Sequence, residues 1–346
     1  MFFSCTGAHA LEYDGGMAID SSSNVLMRTG GKAGTMTSLY GDIGHVLGNA
    51  AVLYGFDGGL LNRYEGVQFH YHNLNGSYTF VPAKDVYVNA GLEYTIARYG
   101  EVISLRGYNQ YGIFGRLRSY LSTSTLLRSE VTLRRRGYRK YDAESYTEAG
   151  TFLRLDRFFA SRTTLRGQLD LGNRRYSSSL FSHDAFLLGI KARVAQSLGD
   201  HWGVWLETRN HTSYFHSRDN DTVNDGVDDS APVTFDRVFL DDRYKYSSYG
   251  LAFHTKYIFA RSGNIQFETS LSRKIYDSSQ TALYWYLPGD GWKEWEWGAF
   301  FSISYTPEFC PGIFHPTLQV YHVAADASVA DLSYDSSGFS LSFDIY

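Results

Sequence analysis

Apolar and polar residues alternate one for one along much of the chain, over stretches too long for a helix to bury on one side. Val86, Val88, Ala90, Leu92, Tyr94 and Ile96 interleave with Tyr87, Asn89, Gly91, Glu93, Thr95 and Ala97. Leu127, Ser129, Val131 and Leu133 interleave with Arg128, Glu130, Thr132, Arg134 and Arg136; Tyr249, Leu251, Phe253, Thr255, Tyr257 and Phe259 with Gly250, Ala252, His254 and Lys256; and Phe339, Leu341, Phe343 and Ile345 with Ser340, Ser342 and Asp344. This period of two predicts strands with one apolar face and one small or charged face. Sixteen are predicted, near 17–27, 32–42, 49–56, 67–80, 86–98, 108–121, 126–140, 144–158, 162–175, 185–197, 201–215, 244–260, 265–276, 294–306, 316–324 and 337–346.

The connections alternate in length. Short ones fall at 122–125, 159–161, 198–200 and 261–264, and longer ones at 99–107, 176–184, 216–243 and 277–293. Pro307 to His315 is an exception, a long link where a short turn is due. Short turns at one end and long loops at the other are the mark of a transmembrane up-and-down barrel. Many of the strands exceed the roughly 9–11 residues that cross a bilayer at a ~45° tilt. Aromatic residues gather where the apolar band should end: Phe158 and Phe159, Trp202 and Trp205, and Tyr257 and Phe259 beside short turns, and Trp292, Trp295 and Trp297 at the opposite rim. Such clusters predict interfacial girdles.

On these alternations and on the closing strand Gly338–Tyr346, the chain resembles the porin-like outer-membrane β-barrels of Gram-negative bacteria over residues 17–346. The terminal Tyr346 departs from the usual pattern, because it falls on the polar phase of its strand. The resemblance implies an all-β, single up-and-down antiparallel transmembrane barrel of about sixteen strands, within a range of 14–18. It also implies an outer-membrane location, contact with lipid and lipopolysaccharide, and insertion by the barrel assembly machinery.

Composition agrees with an all-β protein: 28 Tyr, 23 Phe, 6 Trp and 34 Gly among 346 residues, with 43% hydrophobic and 20% charged residues. The longest apolar region, Val46 to Phe56, is short and broken by Asn49, so the sequence holds no candidate transmembrane helix. A net charge of −4 with dispersed Lys and Arg gives no reason to expect a nucleic-acid partner. Residues 1–10 end in Ala8-His9-Ala10, a small-x-small tripeptide of the kind signal peptidase reads. They are expected to be the remnant of a signal peptide, with the barrel domain spanning 11–346. Cleavage after Ala10 would leave Cys310 as the only thiol, too few for an internal disulfide.

If the apolar faces meet lipid, the other faces line the lumen. Strands 108–121 and 126–140 then give it Arg116, Arg118, Arg128, Arg134 and Arg136 against one acid, Glu130. Elsewhere the signs mix, as in Glu148, Arg154 and Asp156; Arg166 and Asp170; Lys191 and Arg193; Glu207 and Arg209; His254 and Lys256; Glu268 and Lys274; and Glu294 and Glu296. One reading is a rigid interior filled by cross-strand pairs. The other is a water-filled pore whose basic stripe attracts anions, since low-dielectric walls concentrate counter-ions. The expected function is therefore a porin or channel for passive passage of small hydrophilic, preferentially anionic solutes. The alternative is an anchor or export conduit working with a partner in trans.

Arg135 shares a face with Leu127, Val131 and Leu133, and its distance from the turn at 122–125 places it at the outer rim, within reach of lipid phosphates. His211 and Ser213 with Asn224 echo the catalytic set of outer-membrane phospholipases, but their phase points them at the lumen rather than at lipid, so no catalytic residues are assigned. No metal-ligand spacing or phosphate-binding Gly loop suggests a metal or cofactor. The 216–243 connection carries eight aspartates and is expected to constrict or cap the pore.

Overall fold

The computed structural model describes residues 9–22, 33–62, 68–100, 107–140, 145–177, 185–212, 246–260, 263–276, 293–305, 314–327 and 333–345. They form sixteen strands: β1 (His9–Ser22), β2 (Gly34–Leu47), β3 (Ala50–Leu61), β4 (Gln68–Ala83), β5 (Val86–Tyr99), β6 (Tyr108–Ser122), β7 (Thr125–Tyr138), β8 (Tyr146–Phe158), β9 (Thr163–Tyr176), β10 (Ala185–Leu198), β11 (Trp202–Thr212), β12 (Tyr246–Ala260), β13 (Gly263–Tyr276), β14 (Lys293–Tyr305), β15 (Phe314–Ala327) and β16 (Tyr334–Ile345). Each strand pairs antiparallel with its sequence neighbours, and β16 returns to β1 with Met17 opposite Phe343 and Ile19 opposite Leu341. The result is the closed up-and-down barrel expected from the alternation.

Two differences from the sequence reading have local causes. β1 starts at His9 rather than near residue 17, because its alternation is diluted by Glu12, Asp14 and the Gly15-Gly16 pair yet still finds a full-length partner in β2. Cleavage after Ala10 would leave the rest of that strand in place. β2 and β3 run to Leu47 and from Ala50, so their connection shrinks to Gly48-Asn49, with Gly48 in the left-handed region at φ 59°. Two-residue hairpins that follow the strand twist need that conformation. The turn before β9 is anchored differently. Arg162 (φ 62°) reaches the next turn, donating from its guanidinium to Gly199 O and to Asp200. The link between Tyr305 and Phe314 is long, as expected, although residues 306–313 lie outside the described set, as do the 216–243 connection, Trp292 and Tyr346.

The outward faces form a belt of exposed apolar side chains around the barrel, including Leu92, Ile113, Val131, Leu153, Ile190, Leu206, Leu251, Leu271, Phe301, Val320 and Phe339. A water-soluble monomer rarely exposes apolar patches beyond a few hundred Å², so this belt requires lipid. Trp202 packs at a tilt against Tyr257 at 4.8 Å and Phe259 stacks on Tyr305 at 6.4 Å near the short turns, and Trp295 and Trp297 stand exposed near the other rim. Trp205 is an exception to the girdle. It shares the phase of Glu207 and Arg209, faces the lumen, and stacks on His254 at 4.8 Å.

Closure at the seam depends on inward glycines. A Cβ on Gly338 would overlap the Ser21 carbonyl oxygen of β1 and the Tyr321 ring, whereas one on the outward Gly115 would meet nothing within 4 Å. Replacing Gly338 with Val should therefore hinder ring closure, at about 1–3 kcal/mol or more. On a gel run without boiling, the wild type should migrate as a compact, fast band. Gly338→Val should lose several-fold of that band and Gly115→Val should keep it.

Candidate functional site

The strand phases place all twelve sequence-predicted pore-lining residues on the inner face: Arg116, Arg118, Arg128, Glu130, Arg134, Arg136, Arg154, Arg166, Lys191, Arg193, Arg209 and Lys256. Register explains how they meet. Arg116 lies opposite Glu130 and donates to it from Nε at 2.6 Å. Arg134 bonds Glu93 of β5 and lies 3.7 Å from Glu130. Asp156, only 1% exposed, gathers three guanidiniums: Arg166 at 2.7 Å, Arg154 at 3.2 Å and Arg128 at 3.9 Å. Glu207 is shared by Arg193, at 2.7 Å, and Arg209. Arg174 donates to Glu148 at 2.7 Å, and His254 meets Glu268 at 3.2 Å. This half of the wall is a packed ion-pair lattice, as the reading of an interior with cross-strand pairs expects.

Guanidiniums descend the wall in steps. Near the long-connection end, Arg136 lies over the Tyr108 ring at 4.1 Å and donates to Gln110, while Arg174 lies over Tyr146 at 4.1 Å. Tyr71, Tyr99 and Tyr138 extend this aromatic collar, with edge contacts Tyr71–Tyr99 and Tyr108–Tyr138. Lower down come Arg134 and Arg116, then Arg128 opposite Arg118, which bonds Tyr120. Lys191 sits between Gln168 and Arg209 on neighbouring strands, and Lys256 between Gly203 and Gln266.

The other half of the lumen was not legible as a unit in the sequence. Among the described residues, every inward-facing Lys and Arg falls on β6–β13, and the inward positions of β14–β5 hold none. That second wall carries Glu294, Glu296, Asp344, Asp20, Asp42, Asp57 and Glu93, set among Gly, Ser and Ala such as Gly298, Ser302, Ser340, Ala18 and Ser38. Tyr40 donates to Asp344 across the seam. Asp42 and Asp57 are exposed although they face inward, so water reaches this side of the interior. The barrel thus has one half packed with paired arginines and another lined by carboxylates, short side chains and aromatic rings such as Tyr40, Tyr71, Phe300 and Tyr321.

His211 faces inward and is buried beside Asp170 and Gly189, away from lipid as its phase required; Ser213 and Asn224 lie outside the described residues. Among the described residues no group of three His, Cys, Asp or Glu could hold a metal ion.

Because Asp156 is buried among three cations, its removal leaves their charges uncompensated, which typically costs about 3–5 kcal/mol. Asp156→Ala should lower the midpoint for conversion to the slow-migrating form on heating by many degrees. Asp200→Ala, at the exposed Arg162–Asp200 pair, should leave the midpoint unchanged.

No protein-family model matches this chain, and no curated protein matches its sequence. Its backbone is similar to solved outer-membrane proteins. A bacterial polysaccharide outer membrane secretin aligns over 96% of this chain and 97% of its own, with TM-score 0.56 and 10% identity. OccAB1 of Acinetobacter baumannii aligns over 97% and 96%, with TM-score 0.57 and 9% identity. OpdK of Pseudomonas aeruginosa, solved with vanillate, aligns over 97% and 98%, with TM-score 0.55 and 9% identity. At these identities the likeness speaks for the fold. Together with the apolar belt, it makes the chain a sixteen-stranded membrane-spanning β-barrel with the architecture of bacterial outer-membrane channels.

Proposed function

We propose that the protein is a passive channel of the bacterial outer membrane for small hydrophilic solutes, with a preference for anionic ones. The carrying observation is the guanidinium ladder that runs from Arg136 and Arg174 at the aromatic collar to Arg118 and Arg128 near the short turns. On that wall bases outnumber acids, and each of Asp156 and Glu207 is shared by several arginines. A solute anion can exchange from one guanidinium to the next in a low-dielectric channel that concentrates counter-ions. The acidic wall opposite tempers the preference and orients dipolar solutes across the lumen. The outer belt faces outer-membrane lipid, and the barrel assembly machinery is the expected insertion partner.

An export conduit acting with a partner in trans is the second reading. The aromatic collar favours it, because Tyr rings in a lumen offer faces on which sugars can pack. Conductance separates the two readings. In planar bilayers under a salt gradient, the reversal potential should show anion preference. Arg118→Gln with Arg136→Gln should move it towards cations, and Asp42→Asn with Asp57→Asn should move it further towards anions. Absent conductance, or a potential that neither pair changes, would favour the conduit or anchor.

A further inference from the structure

The lumen does not use all the arginines. On the outward face, at the long-connection end, the register lines up Tyr94 (β5), Tyr111 (β6), Arg135 (β7), Thr147 (β8) and Arg175 (β9) in one row across five strands. A second tier, nearer the rim, holds Arg98 and Arg139, which lie close enough for their charges to repel. Among the described outward-facing residues of β5–β9 there is no carboxylate, and none of the four arginines is paired with a described acid. At the same end of the barrel, the other outward faces differ: Arg273 on β13 lies over the Trp295 ring of β14 at 5.2 Å, and Lys293 and Trp297 on β14 are followed by Asp326 on β15 and Asp335 on β16.

Arg98 is also pre-set. Its Nη1 donates to the carbonyls of Ala97 and Tyr108 at 2.8 and 2.9 Å, and its Nη2 to Asn109 Oδ1 at 2.8 Å, which leaves Nε–H and one Nη2–H for another acceptor. Fixing a guanidinium beforehand lowers the entropy lost when it binds a planar or tetrahedral oxyanion. Like charges gathered without a counter-ion among the described residues call for an external anion. What lies below the cations identifies its carrier. Tyr94 and Tyr111 stack at 4.8 Å, and beneath them Leu92, Ile113 and Leu133 are exposed on the lipid-facing belt. The surface is therefore graded from acyl-chain contact, through two amphipathic rings, to a double tier of cations. Arg135 and Arg175 stand two strands apart, about 10 Å, far enough to engage separate phosphates.

We infer that the outward face of β5–β9 is a binding site for a phosphorylated glycolipid headgroup of the outer leaflet, with phosphates on Arg98, Arg135, Arg139 and Arg175 and acyl chains on the belt below. A phosphate free in solution would gain nothing from the apolar lower half of this surface. The site depends on the outer-membrane placement but not on conduction, so a barrel that conducts nothing can still satisfy it.

The test uses the intact barrel in neutral detergent, with lipid binding counted by native mass spectrometry. Bisphosphorylated lipid A should bind in discrete stoichiometry, and dephosphorylated lipid A at least fivefold more weakly. The triple variant Arg98→Gln, Arg135→Gln, Arg139→Gln should reduce lipid A binding by at least fivefold while keeping the fast-migrating band on unboiled gels. Arg157→Gln, outward on β8 but at the short-turn end, should leave binding unchanged. Equal binding by the triple variant, equal binding of the dephosphorylated lipid, or competition by inorganic phosphate at the lipid's own concentration would each overturn the assignment.

Discussion

The closed backbone ladder is the constraint from which the rest of this structure follows. In lipid, each N–H and C=O without a partner costs several kcal/mol, so a sheet survives there only if its first strand pairs with its last. The β1–β16 seam does this, and its register demands Gly16 and Gly338, where a side chain would strike the neighbouring backbone. Once the ring is closed, alternate residues have no choice of environment. One set meets lipid and the other the lumen, so the apolar belt and the charged interior are two readings of one periodicity.

Much of this was legible in the sequence, and the residues show why. β5, β7, β12 and β16 carry long alternations, broken on the outward face by only a few residues such as Ser129, Arg135 and Thr255, and the inward arginines of β6 and β7 could be phased from them. β1 and the β2–β3 turn were harder, because small and acidic residues blur the alternation around Gly15-Gly16 and because a Gly-Asn hairpin needs only two residues. Trp205 was placed on the wrong face, as its indole suggested a girdle while its phase pointed inward. The acidic wall could not be assembled from sequence at all. Asp20, Asp42 and Asp57 lie on consecutive strands, but Glu294, Glu296 and Asp344 come from the other end of the chain and join them only through closure. Likewise Glu93, on β5, reaches Arg134 on β7 across the intervening strand, so the local excess of base on β6 and β7 is smaller than those strands alone suggested.

The two halves of the lumen differ in mechanics as well as charge. Buried charges persist only when paired and hydrogen-bonded, and the arginine half satisfies this with shared carboxylates that hold neighbouring strands in register. The other half carries Gly, Ser and Ala among its carboxylates, and its inward Asp42 and Asp57 are exposed. On the proposed channel reading, rigidity and permeability fall to opposite sides of one barrel, and a transverse field between them follows from the sign of the groups on each side.

That assignment stands or falls on whether the acidic half is an open water path. In a Cys5→Ser, Cys310→Ser background, Asp57→Cys places a thiol on that wall and Ile43→Cys places one on the lipid belt. Single-channel current recorded while a water-soluble, sulfonate-bearing thiol reagent is added tests the claim directly. Stepwise loss of current in Asp57→Cys, with none in Ile43→Cys, is the predicted result. Current that is absent, or indifferent to modification at position 57, would contradict an open channel along this wall.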